Sequence, residues 1–247
     1  MNSAVAGVAL SMALALTAGA QERRFALLMG NKDYPQQPLA NPVNDATDLG
    51  TALTAAGFRV TVKTNLRREA MDEALAEFAG LLKDGDAALV YFSGHGIEAQ
   101  NQNYLLPVDF AATAEYQVRN RAMNANEILD ALRARGVAVS ILILDACRVN
   151  PYRPWMRTSG SGGLAALHAE SAYIAYAAAP GQIANDSPDE RNGLFAKHLK
   201  QVLAQPGLSI DDVFNEVRQR VYRESPGGQR PFSTTGLLGR FVFRAGE

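Results

Sequence analysis

Past its first twenty or so positions, the chain alternates between short runs that are almost wholly apolar and longer stretches in which apolar residues recur every three or four. The run 24–30, RFALLMG, predicts a strand ending at Gly30. The segment 44–58 has a helical period, opened by Asn44 or Asp45 and closed by Gly57 as a C-terminal cap. RVTVKT (59–64) predicts a second strand, and 67–85 an amphipathic helix with Met71, Leu75, Phe78 and Leu82 on one face, stopped by Asp84 and Gly85. DAALVYFSG (86–94) follows as a buried strand. The second half repeats the alternation: a helix over 124–136 with an asparagine cap, buried strands over 137–146 and 171–179, helices over 193–205 and 209–224, and a last strand over 239–245.

Nearly all-apolar strands alternating with amphipathic helices predict an α/β fold, a mostly parallel sheet covered on both faces. In such sheets ligands bind beyond the carboxyl ends of the strands, which singles out Gly30, Gly94-His95-Gly96 and Ala146-Cys147-Arg148. Two long polar stretches interrupt the pattern. One is 97–123, the other 148–170, which carries a Ser/Gly run beside Arg153 and Arg157. Loops of that length are more often functional than accidental.

Composition narrows the class. With 247 residues, 47% hydrophobic and 20% charged, the chain fits one globular domain over 21–247 with an appended segment. Its 24 basic and 25 acidic side chains nearly cancel, so nothing predicts attraction to nucleic acid or an anionic membrane. A single cysteine excludes an intramolecular disulfide, and with three scattered histidines it makes no zinc-ligand pattern. The run 4–20 is apolar, alanine-rich and closed by Ala18-Gly19-Ala20 before polar Gln21, although no Lys or Arg precedes it. It reads as a secretory signal peptide over 1–20, too short for a membrane span, and predicts an exported, periplasmic or secreted protein without stable membrane insertion after cleavage.

The candidate chemistry sits on two strand ends. A thiol becomes a useful nucleophile when a histidine takes its proton, and the two must meet in space. VYFSGHG carries His95, and LILDAC carries Cys147, the sole cysteine, 52 residues later. If these strands are parallel neighbours, both side chains emerge at the same edge. Gly94 and Gly96 permit a sharp exit from the strand, and the N–H groups of Gly96 and Cys147 are candidates for an oxyanion hole. Ser161 lacks the G-x-S-x-G elbow, and Gly30-Asn31-Lys32 lacks a phosphate loop. His168 and His198 read as ordinary structural histidines.

A histidine about 50 residues before an Ala-Cys-Arg element is a caspase spacing. The segments FALLMGNKDY, NPVNDATDL, YFSGHG, NYLLPVD, LDACRVNP and AYAAAPGQIANDS together resemble a bacterial caspase-like peptidase of the metacaspase and orthocaspase branch, from about residue 24 onward. The resemblance implies the caspase fold and a His-Cys dyad that cleaves peptide bonds through a thioester, with Cys147 as nucleophile, His95 as general base and acid, and no cofactor required for the chemistry. It also implies an acidic pocket for Arg or Lys before the cut, at Asp45, Ser93 and Asp145, where charge-assisted hydrogen bonds would hold a guanidinium. Protein or peptide substrates are the implied partners. Read alone, Asp45 is also a helix N-cap and Asp145 a buried carboxylate held by backbone N–H groups. Calcium activation occurs in part of that branch, but no ligand set maps onto this chain; Asp186, Asp189 and Glu190 are too weak a cluster. Arg148 and Trp155 read as loop residues, and Arg153 and Arg157 as sites where such a protease could cut itself. A caspase-fold binding or scaffold protein with little or no turnover is the alternative, and retention of the dyad and the pocket positions argues for an enzyme. Oligomeric state is not legible.

Overall fold

A computed structural model describes residues 22–147, 164, 167, 171–179, 182, 184–187, 189–225 and 228–246, with Cys147 described through its backbone. The predicted signal segment 1–20, Arg148, Arg153, Trp155, Arg157, Ser161 and His168 lie outside these residues.

The chain runs β1 (Arg24–Gly30), α1 (Pro42–Ala55), β2 (Arg59–Thr64), α2 (Arg68–Leu81), β3 (Ala87–Ala99), β4 (Gln102–Leu105), a 3-10 turn (Glu115–Gln117), α3 (Val118–Arg121), β5 (Met123–Asn124), α4 (Ala125–Arg133), β6 (Val139–Cys147), β7 (Ala172–Tyr176), α5 (Leu194–Leu203), α6 (Ile210–Glu224) and β8 (Phe232–Thr235). The main sheet has the order β2-β1-β3-β6-β7-β8, parallel up to β7, with β8 antiparallel at the edge.

Strand side chains alternate between faces, and here both faces are dry. Ala26, Leu28, Leu89, Tyr91, Ile141 and Ile143 pack on one side with residues of α1, α5 and α6. Phe25, Leu27, Val90, Phe92, Leu142 and Leu144 pack on the other with residues of α2 and α4. The apolar face expected for α2 is Met71, Leu75, Phe78 and Leu82, all buried; burial of each such side chain stabilises by roughly 1.5–3 kcal/mol. Asn124 caps α4 by accepting from the Asn126 N–H. Ser209 and Asp212 form a reciprocal capping box on α6. Among the described residues no helix is long and apolar enough to cross a membrane.

Four expectations change. α1 opens at Asn41 with Pro42 in its first turn, so Asp45 lies inside the helix and is not its N-cap. Pro42 suits that place because the missing N–H has no partner in a first turn, and Gly57 still closes the helix with a φ of 87°. β3 continues through Gly94 and Gly96 to Ala99, where its end pairs antiparallel with β4, so the glycines do not end the strand. The stretch 97–123 therefore carries structure, with its own apolar cluster around Tyr34, Ile97, Tyr104, Leu106 and Phe110. The last strand is β8, whose Phe232 stacks on Tyr176 at 4.3 Å. The expected strand 239–245 contributes one isolated bridge, Val242 to Ser209; Phe241 and Phe243 bury themselves against Phe58 without joining the sheet.

Candidate active site

The carboxyl ends of β1 and β6 meet the middle of β3 in register. Gly30 pairs with Ser93, Ser93 with Asp145, and His95 with Cys147. Tyr91, Ser93 and Asp145 continue the alternation that puts Leu89, Ile141 and Ile143 on the α1 face. Their polar atoms consequently turn toward α1 and toward each other. The Tyr91 hydroxyl donates to Asp145 Oδ2 at 2.9 Å, and Ser93 Oγ donates to Asp45 Oδ2 at 3.4 Å. Asp145 is held by a phenol, where backbone N–H groups were the simplest expectation.

His95 is 4% exposed and clamped from three sides. Its Nε2 lies 2.7 Å from the Gln37 carbonyl, its N–H donates to the Tyr34 hydroxyl at 3.0 Å, and its ring centroid is 4.4 Å from that of Tyr34. The Tyr34 hydroxyl donates onward to the Leu106 carbonyl at 3.0 Å. A carbonyl only accepts, so the Nε2 of a neutral ring must carry the hydrogen and Nδ1 must present its lone pair. Nδ1 has no hydrogen-bond partner among the described residues. Burial pushes the imidazole below its ordinary pKa of 6.5, partly opposed by the Gln37 hydrogen bond and by Asp186. The ring is thereby held neutral and oriented. Gly94 is what lets Tyr34 approach: a Cβ there would stand 2.6 Å from the Tyr34 hydroxyl. At Gly96 a Cβ would stand 3.0 Å from that of Ala146, so the backbone after His95 lies close against β6.

Beside this strand end is a narrow acidic pocket, walled by Leu39, Pro42, Asp45, Ser93, Asp145 and Asp186. Asp45 Oδ1 accepts from Asn192 Nδ2 at 3.1 Å and the Gly193 N–H at 3.0 Å. Asp186 accepts from the N–H groups of Ala40 at 2.7 Å and Asn41 at 3.3 Å. Among the described residues none of the three carboxylates has a salt bridge. Burial pushes Asp45 up to about 7, and Asp186 adds to the rise. Burial and the neighbouring Asp45 hold Asp145 well above the ordinary carboxylate range. Asp186 is raised by burial too. A buried cluster of acids supported by neutral donors gains from an incoming cation, which would restore its charged forms.

The structure thus brings together His95, Gly96, Asp45, Ser93 and Asp145 with the backbone of Cys147. Sequence reasoning missed Tyr34, Gln37 and Asn192, and it weighed Asp186 only with Asp189 and Glu190 as a metal cluster. Glu190 instead pairs with Lys197 at 2.9 Å, and among the described residues no group of three His, Cys, Asp or Glu could hold a metal ion. His198 lies elsewhere, buried, with Nε2 2.9 Å from Glu224.

Comparison with known proteins identifies the family and the fold. The Caspase domain family model (peptidase C14) matches residues 23–242. Human mucosa-associated lymphoid tissue lymphoma translocation protein 1 is 32% identical over 126 residues, 51% of this chain and 15% of that protein. Its mouse homologue matches equally. The aligned part is thus a small fraction of those relatives' length. The crystal structure of caspase-1 from Spodoptera frugiperda superposes with a TM-score of 0.66 over 92% of this chain and 93% of that one, at 20% identity, which establishes the fold.

Proposed function

The chain belongs to the Caspase domain family, and from that premise we propose that it is a cysteine endopeptidase cutting after Arg or Lys. The observation that carries this reading is the register of β3 against β6, which sets His95 opposite Cys147 one pair beyond the acidic pocket's rim at Gly94.

Each group then has a task. Nδ1 of His95, the nitrogen left open by the Gln37 carbonyl, takes the Cys147 thiol proton. The thiolate attacks the carbonyl carbon of the Arg or Lys residue, and the N–H groups of Gly96 and Cys147 stabilise the oxyanion. The tetrahedral intermediate collapses with cleavage of the C–N bond, the leaving amine taking the proton from His95 and leaving a thioester. Water, deprotonated by His95, attacks that thioester and regenerates the thiol while releasing a carboxylate product. Asp45, Asp145 and Asp186, with Ser93, receive the guanidinium or ammonium beforehand. No step calls for a metal, and calcium acts, where it acts, outside this chemistry. Arg153 and Arg157 are sites of self-cleavage in this reading.

The test is hydrolysis of matched fluorogenic peptides ending in Arg, Lys or Asp by wild type and Cys147→Ala, with and without calcium. Turnover after Arg or Lys that vanishes in the variant is expected; turnover only after Asp would overturn the pocket's role. Equal full-length masses of the two proteins after prolonged incubation would exclude self-cleavage.

A further inference from the structure

The β1–α1 connection is a strap that touches two pockets. Tyr34, Pro35 and Gln36 line an open groove of about 470 Å³. The next residue, Gln37, holds Nε2 of His95, and Leu39 and Pro42 wall the acidic pocket. Along this one continuous segment the contact with His95 therefore falls between the residues that line the groove and those that wall the acidic pocket. We propose that this groove receives the part of the substrate that follows the cut, accepting an apolar side chain and then an acidic one.

The argument rests on the peptidase reading and extends it. The residue before the cut fills the acidic pocket, and the departing amine must take its proton from His95. The polypeptide attached to that amine consequently leaves past His95, on the side away from the carboxylates. The wall it meets there is Tyr34, whose ring lies 4.4 Å from that of His95.

The walls suit an apolar side chain. Tyr34, Phe110 and Ala112 line the groove and also belong to the buried cluster of the 97–123 region, so its shape is set before substrate arrives. A volume in the range of roughly 300–1,000 Å³, with apolar walls and a few polar groups, is that of a ligand site. The charged rim is unequal. Asp109 accepts from the Arg68 N–H at the start of α2 and is engaged there. Arg121, exposed on the same rim, has no ion pair among the described residues. Asp109 keeps its charge but is oriented toward the Arg68 N–H, so Arg121 is the rim group that would complement a carboxylate on the departing segment.

The experiment uses three substrates sharing one sequence up to Arg: an aminocoumarin amide, and two internally quenched peptides continuing Phe-Glu or Gly-Gly. Wild type should cleave the Phe-Glu peptide about tenfold more efficiently than the Gly-Gly peptide, as expected for one well-filled apolar contact plus a charge. Ala111→Trp, which fills the groove from an exposed rim position, should collapse that ratio toward one. Arg121→Glu should lower it by reversing the rim charge. Equal cleavage of the two quenched peptides by wild type overturns the inference, as does an unchanged ratio in both variants, while hydrolysis of the coumarin amide keeps the peptidase reading intact. No hydrolysis of any substrate removes the peptidase reading and the groove's assignment with it.

Discussion

Asp45 and Asp48 lie one turn apart on α1 and have opposite fates. Asp48 accepts from both arms of the Arg191 guanidinium, at 2.7 and 3.0 Å, and from Lys200 at 3.0 Å, and these partners pull it down to about 2. Asp45 is buried among neutral donors and two further acids, and it is pushed up to about 7. One carboxylate has its cation within the chain. The other has none among the described residues, which costs stability when it is charged and is offset when a cation arrives. The contrast separates a residue that holds α1 to α5 from one that, in the proposed function, receives the substrate's cation.

Substitution should split the two roles. Asp45→Asn keeps an oxygen for Asn192 and Gly193 but removes the charge; loss of a charge-assisted contact of about 1.5–3 kcal/mol lowers kcat/KM on Arg peptides on the order of 10- to 100-fold. At pH 8 its urea midpoint should hold or rise, because a strained buried charge has gone. A midpoint that falls sharply would make Asp45 structural. Next in size is a pH effect. Below about 7 Asp45 is protonated and neutral, so KM for Arg peptides should fall by up to tenfold per unit as pH rises toward 7 and then level. That limb should be absent from Asp45→Asn.

Stability should respond in opposite directions. The raised Asp45 keeps its proton in the folded state between 3.8 and about 7, so its contribution declines as pH rises through that window. The lowered Asp48 contributes above 3.8, and that contribution is lost as pH falls toward about 2. Asp48→Asn should therefore cost roughly 0.2–1 kcal/mol at pH 7 and flatten the acid limb of a urea-midpoint profile, with kcat/KM lowered no more than about twofold through the Lys200–Asn192 contact. The smallest effect is expected for Lys200→Met. Lys200 donates to Asn192 as well as to Asp48, so its loss should raise KM for Arg peptides about twofold through a less firmly held Asn192, a change within the range of one surface pair.

The sequence pattern foretold the site's frame better than its furnishings. Runs such as ILIL (141–144) are apolar at every position because both faces of β6 are covered, and that alone predicts a central parallel strand. His95 and Cys147 were legible as two rare side chains on neighbouring apolar strands, and their register is as expected although β3 runs on past His95 to Ala99. The start of α1 was misread because Asn44 and Asp45 look like caps, although Pro42 marked the first turn. The alternation in 239–245 was equally ambiguous, since Phe241 and Phe243 satisfy it by packing on Phe58 without a partner strand. Gln37 contributes a backbone carbonyl, which has no sequence signature. Asp186 comes from the segment after β7 and reaches the pocket only through the chain's long-range return. Tyr34 acts through a close approach that Gly94 permits, a relation between residues 60 positions apart.

The clasp between β3 and β6 has a further meaning. Its nine paired positions begin at Ala87 and Val139 and end at His95 and Cys147. The rungs behave as a vernier scale: a slip of one notch anywhere along it would bring Ala146 opposite His95 and turn Asp145 toward the wrong face. In the proposed mechanism the alignment of His95 with Cys147 is therefore calibrated by side chains at the far end of the sheet, more than a strand's typical length away. A mild misfit at Ala88 or Ser140 could silence the proposed peptidase activity while leaving the chain folded, so inactivating substitutions should be sought there as well as around the thiol.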